Sequence, residues 1–466
     1  MEIRKIHLIG IGGTGMGSLA ILLKEAGYQV RGSDQSVYPP MSNLLREMGI
    51  VWMEGYRKEN LSWGPDLVVV GNVVSRNHPE VRALQDLDLP YKSFPQTLYE
   101  MFLRHRHPIV VAGTHGKTST SSLLAWILES AGARPGFLIG GVPLNFGVGA
   151  RRGEGDLFVV EGDEYETAFF DKGPKMWHYR PRTAILTSIE FDHAEMFRDL
   201  GEVKAAFEKF VLGMPADGRL AVCSDDPIAL EVARRAACPL LTYGLGKEAE
   251  WRGEVIEEDE GGRTVRIFHG PHDFMTLRSP LSGRQNLRNL LGSIAVVHHL
   301  GFGKKELSAA VPMFRGVARR QQLLGVERGI RVIDDFAHHP TAVRETLGGL
   351  RTRYPDARLW AVFEPRTNTT RRRVFQSSYA ESFDAADRIL IAAVHDPHRA
   401  PKGDRFSPET LARDLRRRGR EASFEPDREK LLRRLTKDCR EGDVVVFLSN
   451  GSFGSIQKRL MEALGG

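Results

Sequence analysis

A chain of 466 residues, 41% hydrophobic and 27% charged, has core material for roughly two to four domains and the composition of an ordinary globular enzyme. Cys223, Cys238 and Cys439 are scattered without a C-x-x-C pair, which excludes a disulfide framework or a cysteine-rich metal site, and no apolar run approaches the ~18 residues of a membrane span, so a cytoplasmic protein with no membrane partner is expected. The net charge of +6 suits anionic substrates; the densest basic runs, Arg371 to Arg373 and Arg416 to Arg418, lack interleaved aromatics, so they read as solvated helix faces rather than a nucleic-acid groove.

The chain opens with a strand, Ile6 to Ile9, then GIGGTGM, then a helix through Leu19, Leu22 and Leu23. A second strand from Gln29 ends in Ser33 and Asp34. Gly10, Gly12 and Gly15 satisfy G-x-G-x-x-G, with Gly13, Thr14 and Met16 completing the run and an acidic residue about twenty positions further on. Physically this places a diphosphate on a helix N-terminus and lets Asp34 accept hydrogen bonds from a ribose or base. NAD and a UDP-linked ligand satisfy both conditions equally. Another buried strand, Leu67 to Val70, ends in Gly71 and Asn72. A small α/β domain covering residues 1–106 is expected.

From Ile109 a continuous apolar run leads into AGTHGKTST, a strand, a glycine-bounded turn and a helix. Gly113, Thr114, His115, Gly116, Lys117, Thr118 and Ser119 form a P-loop of the shorter GTxGKT form. Backbone N–H groups there cradle a polyphosphate, Lys117 reaches its outer phosphates and the Thr118 hydroxyl can ligate Mg²⁺. Leu123, Leu124, Ile127, Leu128 and Ala131 recur at helical spacing, and Gly132 is placed to end the helix. Leu157 to Val160 form a strand followed by Glu161, Asp163 and Glu164, and a carboxylate emerging beside a P-loop is well placed to hold Mg²⁺. The strand Ala184 to Ile189 ends in EFDH, bringing Asp192 and His193 to the same kind of edge. His193 serves a metal or phosphate, or caps a helix. A helix follows from SGRQNLRNLLG, with Asn286 and Asn289 on one side of its start; their amides suit an adenine edge, or Asn286 caps the helix. The expected second domain is 107–315.

The third, 316–466, starts at GVARR with Arg320. Ile330 to Ile333 form a strand ending in DDFAHHP, where Asp334, Asp335, His338 and His339 suit either a metal or a strand exit with Pro340 starting a helix. Strands at Leu359 to Phe363 (then EPRTNT), Ile389 to Ala393 and Val444 to Leu448 (then SNGSFGS) complete it. Strand alternates with helix throughout, so the expected fold class is α/β with mostly parallel sheets: a Rossmann-like N-terminal domain, a central P-loop ATPase domain and a Rossmann-like C-terminal domain.

GIGGTGM, AGTHGKTST, VVEGDEYE, EFDH, QNLRN, GVARR, DDFAHHPTA and SNGSFG occur in the order found in the Mur ligases, the ATP-dependent amide-forming enzymes of bacterial peptidoglycan, and the chain resembles that family over its whole length. SVYPPMS, GGVPLNFG, FFDK and FEPRTNT resemble the branch that attaches a salvaged L-alanyl-γ-D-glutamyl-meso-diaminopimelate tripeptide to UDP-N-acetylmuramate, in peptidoglycan recycling, more than the branch that attaches L-alanine. The resemblance implies ATP and Mg²⁺ as cofactors, and an acyl phosphate formed from the muramoyl carboxylate before the amine displaces phosphate. It implies that Gly10 to Met16, Ser33, Asp34 and Asn72 hold the UDP-sugar. Lys117 would hold the β- and γ-phosphates, Thr118 and Glu161 Mg²⁺, and His193 a second metal. Asn286, Asn289, Arg320 and Asp335 would contact ATP. Asp335 or His338 would orient or deprotonate the amine, and Arg366 with Asn368 would hold a peptide carboxylate. The family often has histidine where this chain has Gln285, and Lys204 does not fall where several relatives carry a carbamylated lysine. A monomer or weak dimer is expected. Three alternatives make different demands: an L-alanine ligase, an NAD-dependent dehydrogenase, which leaves Lys117, Thr118 and Glu161 unexplained, and a nucleotide-binding switch that forms no amide.

Overall fold

The computed structural model describes residues 2–466, which separate into two compact units. The first comprises Met1–Ile189, Gly201–Arg252 and Leu290–Ala310; the second comprises Glu190–Leu200, Gly253–Asn289 and Val311–Gly466.

The first unit carries two mostly parallel sheets. The N-terminal one has the spatial order Val51–Glu54, Gln29–Asp34, Lys5–Ile9, Leu67–Val70, Tyr91–Ser93. Ile9 pairs with Ser33 and Val70, so the glycine turn after Ile9 leaves the sheet beside Asp34. The helix Thr14–Glu25 follows at once. The larger sheet places the P-loop strand His107–Ala112 between Thr183–Leu186 and Leu157–Gly162, and continues outward through Arg219–Cys223 and Leu240–Gly244 on one side. Gly136–Leu138 and the antiparallel Ala150–Arg151 close the other side. The Thr183 strand ends at Leu186, three residues earlier than its apolar run suggests, because Thr187 and Ser188 turn aside to bond the P-loop. The helix Lys117–Ser130 buries Leu123, Leu124, Ile127 and Leu128, and Gly132 follows it with φ +81°.

In the second unit a six-stranded sheet runs Gln322–Glu327, Ile330–Asp335, Val444–Leu448, Leu359–Phe363, Arg388–Ile391, Glu421–Phe424, parallel except for its first strand. Successive residues of these strands enter opposite cores: Phe363, Val446 and Leu448 pack on one face, and Trp360, Val362 and Phe447 on the other. That accounts for their uninterrupted apolar sequence. The antiparallel hairpin Gly262–His269 and His272–Ser279 is absent from the expected list of elements, although the alternation in TVRIFHGPHDFMTLRS around Gly270 and Pro271 is its signal.

Beneath the N-terminal sheet lies a buried polar chain. Trp63 Nε1 donates to His7 Nδ1 at 3.4 Å, His7 Nε2 lies 3.2 Å from Ser33 Oγ, and Ser33 Oγ donates to Glu80 at 2.5 Å. Asn60 Nδ2 and the Arg57 N–H also donate to Glu80. Burial, reinforced by Arg31, lowers the His7 pKa to about 4. Neutral imidazole fits this chain: Nδ1 accepts and Nε2–H donates. The unfolded chain protonates His7 near the ordinary histidine value and the folded chain only near 4, so this contribution is intact at neutral pH and is lost as pH falls through that window. Its full size is roughly 3 kcal/mol. Thermal unfolding at neutral pH and near pH 4.5 should show wild type losing more stability on acidification than His7→Gln; equal losses would contradict the assignment.

Candidate active site

In the first unit the P-loop is clamped from the neighbouring strand end. Thr114 N–H donates to Ser188 O at 2.8 Å, His115 N–H to Ser188 Oγ at 3.1 Å, and Thr187 Oγ1 donates to His115 O at 2.6 Å. Gly113 has φ +130°, and a Cβ there would lie 2.1 Å from Thr187 Oγ1; only glycine fits the turn. Gly116, also left-handed, precedes Lys117 at the first turn of the helix, and Ser119 is half-buried behind it.

Lys117 Nζ donates to Gly113 O at 2.6 Å and to Glu164 at 2.8 and 3.1 Å. Burial alone would depress its pKa, but Glu164, Asp163 and Glu161 outweigh that and raise it. The ammonium is therefore firmly charged. Thr118 Oγ1 donates to Glu161 Oε2 at 3.2 Å, and Gly140 N–H donates to Glu161 Oε1 at 2.8 Å. A hydroxyl and a carboxylate side by side form the hard oxygen donor set that Mg²⁺ prefers. The expected Lys117, Thr118 and Glu161 thus converge on one point. Glu164 is visible in the motif only as a further acid; a lysine at a helix start and a carboxylate beyond a neighbouring strand leave no local spacing to read.

At the N-terminal sheet Asp34 Oδ2 accepts the Gly12 N–H at 2.8 Å, and the Tyr56 hydroxyl, whose pKa burial and Asp34 push up to about 12, bonds the same carboxylate. Gly10, Gly13, Thr14, Gly15 and Met16 form the turn and first helical residues beside it. Asn72 is exposed at the end of the next strand. Ser33 differs from expectation: its hydroxyl is fully buried and spent on Glu80 and His7.

In the second unit Asp192 lies 8% exposed. Burial opposes its ionisation, but His193, His338 and His339 prevail and hold its pKa well below the ordinary carboxylate value. His193 has φ +54° and its Nδ1 lies 3.8 Å from Glu195. His338 Nδ1 lies 3.0 Å from Phe336 O, and burial lowers its pKa; with Nδ1–H donating there, Nε2 is left as the basic nitrogen. His339 caps the helix Pro340–Arg353 by accepting the Thr341 N–H. Asp335, 3% exposed, accepts the N–H groups of Gln321 (2.7 Å) and Ala337 (2.6 Å); burial raises its pKa. It ties the strand end to the segment carrying Arg320, whose guanidinium lies 4.6 Å from the Phe336 ring centre.

Asn286 does not cap its helix, which begins at Arg284. Its Nδ2 instead donates to Ser282 O at 2.8 Å, its Oδ1 accepts from Asn289 at 3.2 Å, and Gln285 donates to Asn289 at 3.1 Å. Gln285 thereby orients the asparagine pair. Arg366 Nη1 lies 3.7 Å from the buried Glu364, while Asn368 Oδ1 accepts from Arg371 at 3.0 Å and so shapes the turn. Lys204 pairs with Glu231 at 2.5 Å.

Residues 5–106 match the model described as Mur ligase family, catalytic domain; residues 111–297 match the Mur ligase middle domain and 319–451 the Mur ligase, glutamate ligase domain. The chain is 38% identical, over 99% of its length and 98% of the relative's, to the UDP-N-acetylmuramate L-alanyl-γ-D-glutamyl-meso-2,6-diaminoheptandioate ligase of Escherichia coli (strain K12). It is 33% identical, over 99% of its length and 98% of the relative's, to a UDP-N-acetylmuramate L-alanine ligase of Solidesulfovibrio magneticus. Among solved structures it is similar to the murein peptide ligase of Psychrobacter arcticus 273-4, with TM-score 0.73, 36% identity, and coverage of 100% and 99% of the two chains.

Breaking a buried ion pair from one side strands the other charge, typically at a cost of about 3–5 kcal/mol. Glu164→Gln should therefore lower the unfolding temperature by several degrees, measured by calorimetry, whereas the exposed-pair variant Glu231→Gln should not; equal behaviour would remove Glu164 as the counter-ion of Lys117.

Proposed function

The chain belongs to the Mur ligase family and is an ATP-dependent amide ligase, and on that premise we propose that it joins the muramoyl carboxylate of UDP-N-acetylmuramate to the amino group of L-alanyl-γ-D-glutamyl-meso-diaminopimelate, in peptidoglycan recycling. The observation that carries this is the end-to-end relation to a ligase named for that tripeptide.

In this reading residues 1–106 hold the UDP-sugar, 107–315 hold ATP and 316–466 read the peptide. The muramoyl carboxylate attacks the γ-phosphorus of ATP, giving an acyl phosphate and ADP; the alanyl amine then adds to the acyl carbon and phosphate leaves. The first step brings anions together, and Lys117 exchanges Glu164 for the β- and γ-phosphate oxygens to offset their charge. Thr118 and Glu161 would hold Mg²⁺ and His193 would serve a second ion; bound there, the metal would neutralise phosphate charge. Gly113 to Ser119 provide backbone donors to the phosphates, and Asn286, Asn289 and Arg320 supply further ATP contacts. Asp335 acts as a scaffold for the Arg320 segment, because its oxygens already accept two backbone N–H groups. His338 Nε2 is then the better candidate to take the amine proton. The chain is active as a monomer or weak dimer.

Phosphate release with ATP, Mg²⁺ and UDP-N-acetylmuramate should strongly favour the tripeptide over L-alanine as amine, and Lys117→Ala should abolish it. Preference for L-alanine would move the chain to the first step of stem-peptide synthesis. Arg366→Ala should raise the KM for tripeptide about tenfold or more while leaving that for ATP within about twofold; small, equal effects would remove Arg366 from the peptide site.

A further inference from the structure

Glu364, directly after the strand Leu359–Phe363, is 0% exposed. It accepts Ser449 Oγ at 2.8 Å on Oε2 and Arg428 Nη2 at 2.8 Å on Oε1, with Arg366 Nη1 3.7 Å from Oε2. One enclosed carboxylate therefore faces two guanidinium groups, both partly open to solvent at 28% and 42%, and a positive charge is left over. Arg366 reaches this place by lying across the backbone of Gly451: a Cβ there would come within 2.3 Å of its Nε. The adjoining Asn450 has a buried Oδ1 with no hydrogen-bond partner. Two forked donors turned toward solvent around a single carboxylate match a further carboxylate brought by a ligand.

Building on the tripeptide reading, we propose that Arg366 and Arg428 bind the distal carboxylate of the diaminopimelate residue and that Glu364 is the positioning residue that spreads the two guanidinium groups. Arg428 and Glu364 are thereby specificity determinants for the peptide's third residue. Neither residue touches the reacting amine, so their loss acts on KM rather than on kcat.

The test compares the diaminopimelate tripeptide with the same peptide carrying L-lysine in its place, which keeps the amine and lacks only the distal carboxylate. Tripeptide turnover by the unmodified chain is measured first; its absence overturns the underlying reading and this inference with it. Given turnover, Arg428→Ala should lower kcat/KM for the diaminopimelate peptide about tenfold or more and leave the lysine peptide within about twofold, collapsing the preference between them. Glu364→Gln should raise the diaminopimelate KM with kcat retained. Arg428 is exposed enough for its truncation to leave the fold intact, and an unchanged preference, or equal losses on both peptides, would overturn the assignment while leaving the tripeptide reading standing.

Discussion

A lysine ammonium held against a buried carboxylate is the interaction around which the P-loop is organised. Lys117 is held between the Gly113 carbonyl and Glu164, and such a charge is tolerable inside a protein only because its partners are equally fixed. The same ion pair holds the ammonium at the P-loop, where the phosphates of ATP would meet it under the proposed function. Under the proposed function, phosphate oxygens would take the place of Glu164 at the ammonium, so that Lys117 keeps an anionic partner in both states.

The arrangement follows from parallel-sheet geometry. Strands that share a direction end on the same edge, and the residues just beyond them are released from ladder bonding to serve chemistry. In the first unit that edge supplies Gly113, Glu161 and Ser188. In the second it supplies Asp335, Glu364 and Ser449, whose parent strands are in direct register. The buried acids differ in duty. Asp335 spends its oxygens on backbone N–H groups, whereas Glu364 spends its own on guanidinium groups that still face solvent.

Legibility in the sequence divides along the same line. Elements whose evidence is local were plain: the P-loop, the glycine turn at Gly10, and strands buried on both faces, which cannot be anything but continuous apolar runs. The residues converging on Lys117 are half legible, because Thr118 is its neighbour whereas Glu164, 47 positions further along, meets it only once the sheet has folded. Ser33 sat beside the right motif, yet its hydroxyl was claimed by Glu80, a partner with no sequence signature. Asn286 was read as a possible cap because asparagine favours that position; the helix started two residues earlier. The hairpin through Gly262–His269 is faint in the sequence because charged residues dilute its alternation.

The central claim is that ATP activates the muramoyl carboxylate by phosphorylating it. Turnover of UDP-N-acetylmuramate labelled with ¹⁸O in that carboxylate, with mass analysis of the released phosphate, tests it most directly. Transfer of one labelled oxygen per turnover into phosphate is the predicted result. Phosphate released without label would mean that water, not the carboxylate, attacked ATP, and would contradict the account.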